Sequence, residues 1–222
     1  MKKEAKDMLE LDNKPWPDWV EVGANAKIHP SVQFVPWDNK KITIGKRVKI
    51  DSGTVIYGGT SIGNDSGIGH NSVIRFNTSI GTHSLVAQLC VLEGNLVIGD
   101  HTLVHSNNHI CQKSVIGNYV FMAPQCVTTN DPKMYYYRKG YSESGAHWDL
   151  LNGPKIGDGC RIAVGCIFFP MINVGKHAVV GAGSVVTKDV PDYAIVFGNP
   201  AVIKGVVDPN LDQLIGCTKD HL

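Results

Sequence analysis

The sequence predicts an all-β solenoid, a parallel β-helix built from six-residue turns, and three observations predict it. First, stepping by six from Ile44 reaches Ile50, Ile56, Ile62, Ile68, Ile74, Ile80, Val86, Leu92, Ile98, Val104, Ile110, Ile116, Met122 and Thr128, and only the last of these fifteen positions is not apolar. Helices repeat near 3.6 residues and strands near 2, so neither sustains a period of six, whereas a strand-plus-turn unit does. Second, the beat resumes as Ile156, Ile162, Phe168, Val174, Val180 and Val186, and an early run of Val22, Ile28 and Phe34 keeps the same step. Third, a Gly often follows the beat residue (Gly45, Gly63, Gly69, Gly81, Gly99, Gly117, Gly157, Gly175, Gly181). Glycine there is expected to serve sharp corners through positive φ. Three such units make one triangular coil, so residues eighteen apart are expected to stack.

Residues 1–21 read as a cap. Residues 1–16 are expected to form a short helix around Met8 and Leu9, ended by Pro15 and Pro17, with Trp16 and Trp19 over the open end of the solenoid. A repeat array needs such cover for its first coil. The solenoid domain spans 22–205. Its first repeats run from Val22 to Phe34, and Val35–Thr43 breaks the beat as a small loop. The main run follows to Thr128, and an excursion over 130–154 then interrupts it, carrying Tyr135, Tyr136, Tyr137, Arg138, Lys139 and Trp148. A long loop inside a compact domain is usually functional or disordered, and this aromatic and basic content favours one that packs on something. The beat resumes at Lys155-Ile156-Gly157, and 206–222 reads as a short helix with a loose tail.

Cys90, Cys126, Cys160 and Cys166 each lie four residues after a beat position, an inward slot for small residues, so they read as core. No spacing suggests a zinc site or a redox dithiol, and no metal is expected. The net charge of +1 gives no basic footprint for nucleic acid. No apolar run reaches membrane-spanning length, and MKKEAKDMLEL lacks the apolar core of a signal peptide, so a cytoplasmic protein is expected.

The sustained beat resembles the hexapeptide-repeat acyltransferases, whose fold is a left-handed β-helix, over roughly residues 20–205. The phrase VVGAGSVVTKDVPDYAIVFGNPAVIKG resembles the last coil and exit of the acetyl-CoA-dependent members. In that family the coenzyme lies between neighbouring subunits of a homotrimer, with small residues along its pantetheine arm and a Lys near its phosphates. The resemblance therefore implies acetyl-CoA as co-substrate, a trimer, and Ala163, Gly165, Gly181, Ala182, Lys188 and Pro200 as coenzyme-binding candidates. Thr128-Thr129-Asn130-Asp131-Pro132 resembles the segment with which N-acetyltransferases of nucleotide-linked amino sugars meet their acceptor. That resemblance implies transfer of an acetyl group to an amine, with Asn130, Asp131, Gln112 and Asn107 orienting the acceptor. Stacking by eighteen is expected to put Asn130 over Gln112.

An amine attacking a thioester must lose a proton, and His suits that role near neutral pH. His105 and then His70 are the first candidates; His109 is a further outward-facing His. Many related sugar N-acetyltransferases carry a His where this chain has Gln112, so a substrate amine that arrives neutral is the alternative route. Arg75 and Glu93 stack eighteen apart at an outward slot. Arg75 suits a substrate phosphate or carboxylate through a bidentate contact, or the two form a salt bridge between coils. The resemblance leaves open the acceptor's identity and the acyl chain length, and an O-acetyltransferase acting on a sugar or antibiotic hydroxyl is the main competing activity. A β-helix carbonic anhydrase is disfavoured, because Gly69-His70 is followed five residues later by Arg75 rather than a second His. A non-catalytic scaffold needs neither the exit phrase nor the excursion.

Overall fold

A computed structural model describes residues 9–10, 17–134 and 150–208. Each hexad contributes a strand of two or three residues followed by a turn, and among the described residues the strands line up as three sheets of 11, 8 and 8 strands, parallel except at the two ends of the first. Face I runs from Val20–Val22 to Asn173–Val174, face II from Lys27–Ile28 through the last coil, and face III from Gln33–Val35 to Val185–Val186. The chain visits I, II and III in turn, so the molecule is the three-sided parallel β-solenoid expected from the six-residue beat, consistent with the left-handed β-helix that the resemblance implies. The register is the expected eighteen: Ile44 pairs with Ile62, Ile50 with Ile68, and Val73 with Val91.

The beat residues from Ile44 to Met122 point inward and are at most 2% exposed, and the strand residue before each faces outward. The slot four residues after the beat is the second inward position. There Thr54, Ser66, Ser72, Ser84 and Thr102 donate their hydroxyls to carbonyls fifteen residues on, in the next coil. Cys90, Cys160 and Cys166 use their thiols in the same way, toward His105, Gly175 and Gly181. These cysteines are core, as expected, and burial pushes the Cys160 thiol up to about 11. The corners thus satisfy buried carbonyls that would otherwise cost stability.

The glycine expectation needs correction. No glycine directly after a beat residue has positive φ; that conformation falls two residues later, on Arg47, Asp65, Asn71, His83, Leu89 and their counterparts. Glycine follows the beat because coils approach closely there: a Cβ on Gly63 would stand 2.6 Å from the Gly81 carbonyl carbon.

Both ends of face II close with antiparallel strands. Leu9–Glu10 pairs with Lys27–Ile28, so that part of the expected N-terminal helix is strand, while Met8 and Trp16 lie outside the described residues. Trp19 packs against the core as anticipated. At the other end Ala194–Gly198 turns through Asn199-Pro200, a cis bond, into Ala201–Val206. Val206 is therefore strand rather than helix, and 209–222 lie outside the described residues. Val35–Thr43 forms a tight hairpin: Lys40 N donates to the Trp37 carbonyl, with Asp38 and Asn39 at φ 49° and 52°. Two successive positive φ values make the turn type that matches strand twist. The excursion leaves between faces III and I. Its ends are tied by Asn152 N donating to the Asn130 carbonyl at 2.9 Å, and Ile116 pairs with Ile156, a step of 40 rather than 18, an insertion of 22 residues. The aromatic and basic residues from Tyr135 to Lys139, and Trp148, lie outside the described residues.

Candidate functional site

Where the excursion breaks the solenoid, a cavity of about 640 Å³ opens over the corner between faces III and I, lined among others by Glu93, His109, Thr128, Asn130, Asp131 and Phe169. Its floor is Thr128, the one polar beat residue. Thr128 is 2% exposed, accepts the Cys111 N–H at 2.8 Å and lies 3.2 Å from Ser114 Oγ. Burial pushes the Cys111 thiol beside it up from its ordinary range.

Asn130 donates its amide to the Gln112 carbonyl at 3.4 Å, the stacking expected from the spacing. Asp131 Oδ1 accepts N–H bonds from Lys133 at 2.9 Å and Met134 at 2.7 Å, so this carboxylate shapes the start of the excursion. His109 projects from face III, and its Nε2 lies 2.7 Å from Glu93 Oε1. Glu93 therefore pairs with His109 and not with Arg75, whose guanidinium lies over the Phe76 ring, Cζ 5.2 Å from the centroid.

The other expected residues occupy the corner between faces II and III. His105 Nδ1 accepts the Ser106 N–H at 2.8 Å, which leaves the proton of the neutral ring on Nε2. His70 is bound by Ser52 Oγ at 2.8 Å, with Asp51 3.7 Å away. Asn107 takes positive φ at the same corner, and its backbone N–H donates to Gln88. Ala163, Gly165, Gly181 and Ala182 continue this corner toward the C-terminal end. A side chain at Gly165 would meet nothing within 4 Å, so the surface there is open, whereas one at Gly181 would meet Phe197 Cβ at 2.7 Å. Gly181 thus makes room for the last strand. Lys188 is exposed near the III–I corner, and Pro200 is exposed in the final turn. Within one chain, His105, His70 and Asn107 do not join Asn130, Asp131, Gln112, Glu93 and Arg75; the width of face III separates the two groups. His109 is the residue the spacing undervalued: it stands eighteen before Val127, one coil from Thr128.

Residues 41–76 match the family described as "Bacterial transferase hexapeptide (six repeats)". That match covers 36 of the 222 residues, and it falls on the six-residue beat of the solenoid. Among curated relatives, a dTDP-3-amino-3,6-dideoxy-alpha-D-galactopyranose 3-N-acetyltransferase of Aneurinibacillus thermoaerophilus is 48% identical over 65 residues, 29% of this chain and 31% of that protein. A galactoside O-acetyltransferase of Lactococcus lactis is 33% identical over 89 residues, 40% and 41% of the two chains. The chain thus spans about a third to two-fifths of the length of these relatives. A crystal structure of a UDP-N-acetylglucosamine acyltransferase from Bacteroides fragilis shares the fold with TM-score 0.62 at 17% identity, covering 92% of this chain and 79% of that one.

Proposed function

We propose that this protein moves an acetyl group from acetyl-CoA to the amino group of a nucleotide-linked amino sugar. The observation that carries the reading is the cavity in which the His109–Glu93 pair faces Asn130. With Nε2 turned to the Glu93 carboxylate, Nδ1 is the ring atom available to accept the proton of the attacking amine. Glu93 fixes the tautomer and stabilises the imidazolium that results. Asn130 and Gln112 orient the acceptor. The N-acetyltransferase relative supports an amine acceptor, and the O-acetyltransferase relative is the competing precedent.

The II–III corner suits the coenzyme. Ala163 and Ala182 are small, and the space over Gly165 and Gly183 is open, which fits a thin pantetheine arm. Acetyl-CoA, when bound, supplies the acetyl thioester. The two corners of one chain point apart, so the complete site is proposed to form where the II–III corner of one subunit meets the III–I corner of the next, in a trimer. Lys188 and Pro200 are then proposed to meet the coenzyme near the exit.

His105 is the second reading for the base, one that requires its Nδ1 to give up the Ser106 N–H. It stands on the coenzyme corner, and a neighbouring subunit would bring it to the acceptor. The test is thiol release from acetyl-CoA with a panel of nucleotide-linked amino sugars against the same sugars bearing hydroxyls, for wild type, His109→Asn and His105→Asn. Amino-sugar turnover lost by about a hundredfold in His109→Asn and kept in His105→Asn is expected. Turnover confined to hydroxyl acceptors would overturn the N-acetyl reading.

A further inference from the structure

The III–I corner carries more than the cavity. Below Glu93 the next coil holds Arg75, half-buried, and among the described residues no carboxylate lies within ion-pair distance of its guanidinium. Arg75 lies over Phe76, and Phe76 stacks on Trp37 of the 35–43 hairpin, ring centroids 4.2 Å apart and planes 8° from parallel. This stack is built into the fold. Gly94, at φ 100°, leaves space that a side chain would deny to the Phe76 ring, whose nearest atom would lie 3.2 Å from a Cβ there. Phe76 is 9% exposed but Trp37 is 39% exposed, so the indole keeps an open surface.

A ladder of side-chain bonds ties this shelf to the cavity. Lys40 Nζ donates to Asn77 Oδ1 at 3.1 Å, Asn77 to Asn95 at 2.9 Å, and Asn95 to Gln112 Oε1 at 3.5 Å; Asn130 then donates to the Gln112 carbonyl. Three coil steps separate Arg75 from Thr129, about 14 Å at the strand spacing of a sheet, and the Trp37 ring lies one stacking distance beyond Phe76. One edge of the prism thus presents, in line, an amine-facing cavity, an unpaired fork of five N–H donors and an exposed aromatic plane.

We propose that this ridge is the nucleotide half of the acceptor site: Arg75 holds the diphosphate and Trp37 stacks the base of a nucleoside diphosphate. The inference rests on the acceptor reading given above and extends it to the recognition of the leaving half. A guanidinium matches phosphate oxygens two at a time, and a base stacks on indole whatever its sequence of polar groups. The linear order fits an extended sugar–diphosphate–nucleoside, with the sugar amine at His109.

The test is calorimetric titration of the full chain with dTDP and UDP, and separately with pyrophosphate and with thymidine, in the absence of thioester. Wild type is expected to bind both diphosphates, more weakly as salt is raised. Arg75→Met, which keeps an apolar stem over Phe76, is expected to weaken them at least about tenfold and to abolish pyrophosphate binding. Trp37→Ala is expected to weaken dTDP and thymidine but not pyrophosphate. Arg47→Met, on the opposite corner, serves as the unaffected control, and Arg75→Lys guards against misfolding, since it keeps charge and loses the fork. No dTDP or UDP binding to wild type, or Arg75→Met binding dTDP as tightly as wild type does, overturns the proposal. Thiol release measured alongside separates the two readings. Amino-sugar turnover with dTDP affinity untouched by Arg75→Met leaves the reaction standing without the ridge. Arg75-dependent dTDP binding without turnover leaves the ridge without the reaction.

Discussion

Thr128→Val is the substitution that the repeat itself recommends, and the structure predicts that it destabilises. Every beat position from Ile44 to Met122 is apolar, so Val at 128 would complete the column. Yet Thr128 Oγ1 accepts the Cys111 N–H at 2.8 Å, and Cys111 is 3% exposed. Removing the hydroxyl leaves that amide buried without its partner, a cost of about 1–3 kcal/mol. The added methyl returns about 0.8 kcal/mol of burial. The net is a loss of up to about 2 kcal/mol, which for a chain of this size lowers Tm by up to about 8 °C. Thr128→Ser keeps the acceptor and is expected to lose less. Thermal and urea unfolding of the three proteins, with hydrogen exchange at the Cys111 amide, measure the difference. A Thr128→Val protein as stable as wild type, with an equally protected amide, would refute the reasoning.

Other consequences are open to the same kind of measurement. Glu93→Gln is expected to lower turnover by about tenfold or more through loss of the carboxylate that holds His109, while unfolding shifts by under about 1 kcal/mol because both side chains are partly exposed. Gly63→Ala drives a Cβ to 2.6 Å from the next coil's backbone and is expected to destabilise far more than Gly183→Ala, which meets nothing within 4 Å and carries only the cost of φ 67°, about 1 kcal/mol; urea midpoints of the pair decide between close approach and backbone conformation. The Arg47 guanidinium, bonded to Asp65 at 2.6 and 2.7 Å, holds the Asp65 carboxyl below its usual range. A depressed folded-state value means that the pair's contribution is present above the unfolded carboxylate range near 3.9 and fades as pH falls through the lower folded value. Asp65→Asn should therefore remove a pH-dependent step from the acid limb of stability, and NMR titration of Asp65 should show the depressed midpoint.

Much of the architecture was legible because a stacking period is a strong constraint. The beat gave the register, the inward cysteines and the place where the excursion leaves. The reason for glycine was misjudged because sequence shows which residue is small, not whether a neighbouring backbone or its own φ requires it. The division of the site between two corners was legible in principle: His105 and Thr129 are 24 residues apart, four hexads, which is not a multiple of three. Adjacency along the chain concealed that phase. His109 was named for its outward slot but its partner was not foreseen, because Glu93 had been matched with Arg75 by an eighteen-residue step, whereas the observed contact spans 16. The end strands could not be read at all from a beat that stops before them.

The 22-residue insertion enters and leaves through neighbouring backbone groups, so the coils on either side never learn its length. Lengthening it further would add only about 0.6 kcal/mol of closure entropy per doubling. That edge is a socket: segments of other sizes and chemistries can be grafted there with the spiral beneath left in step.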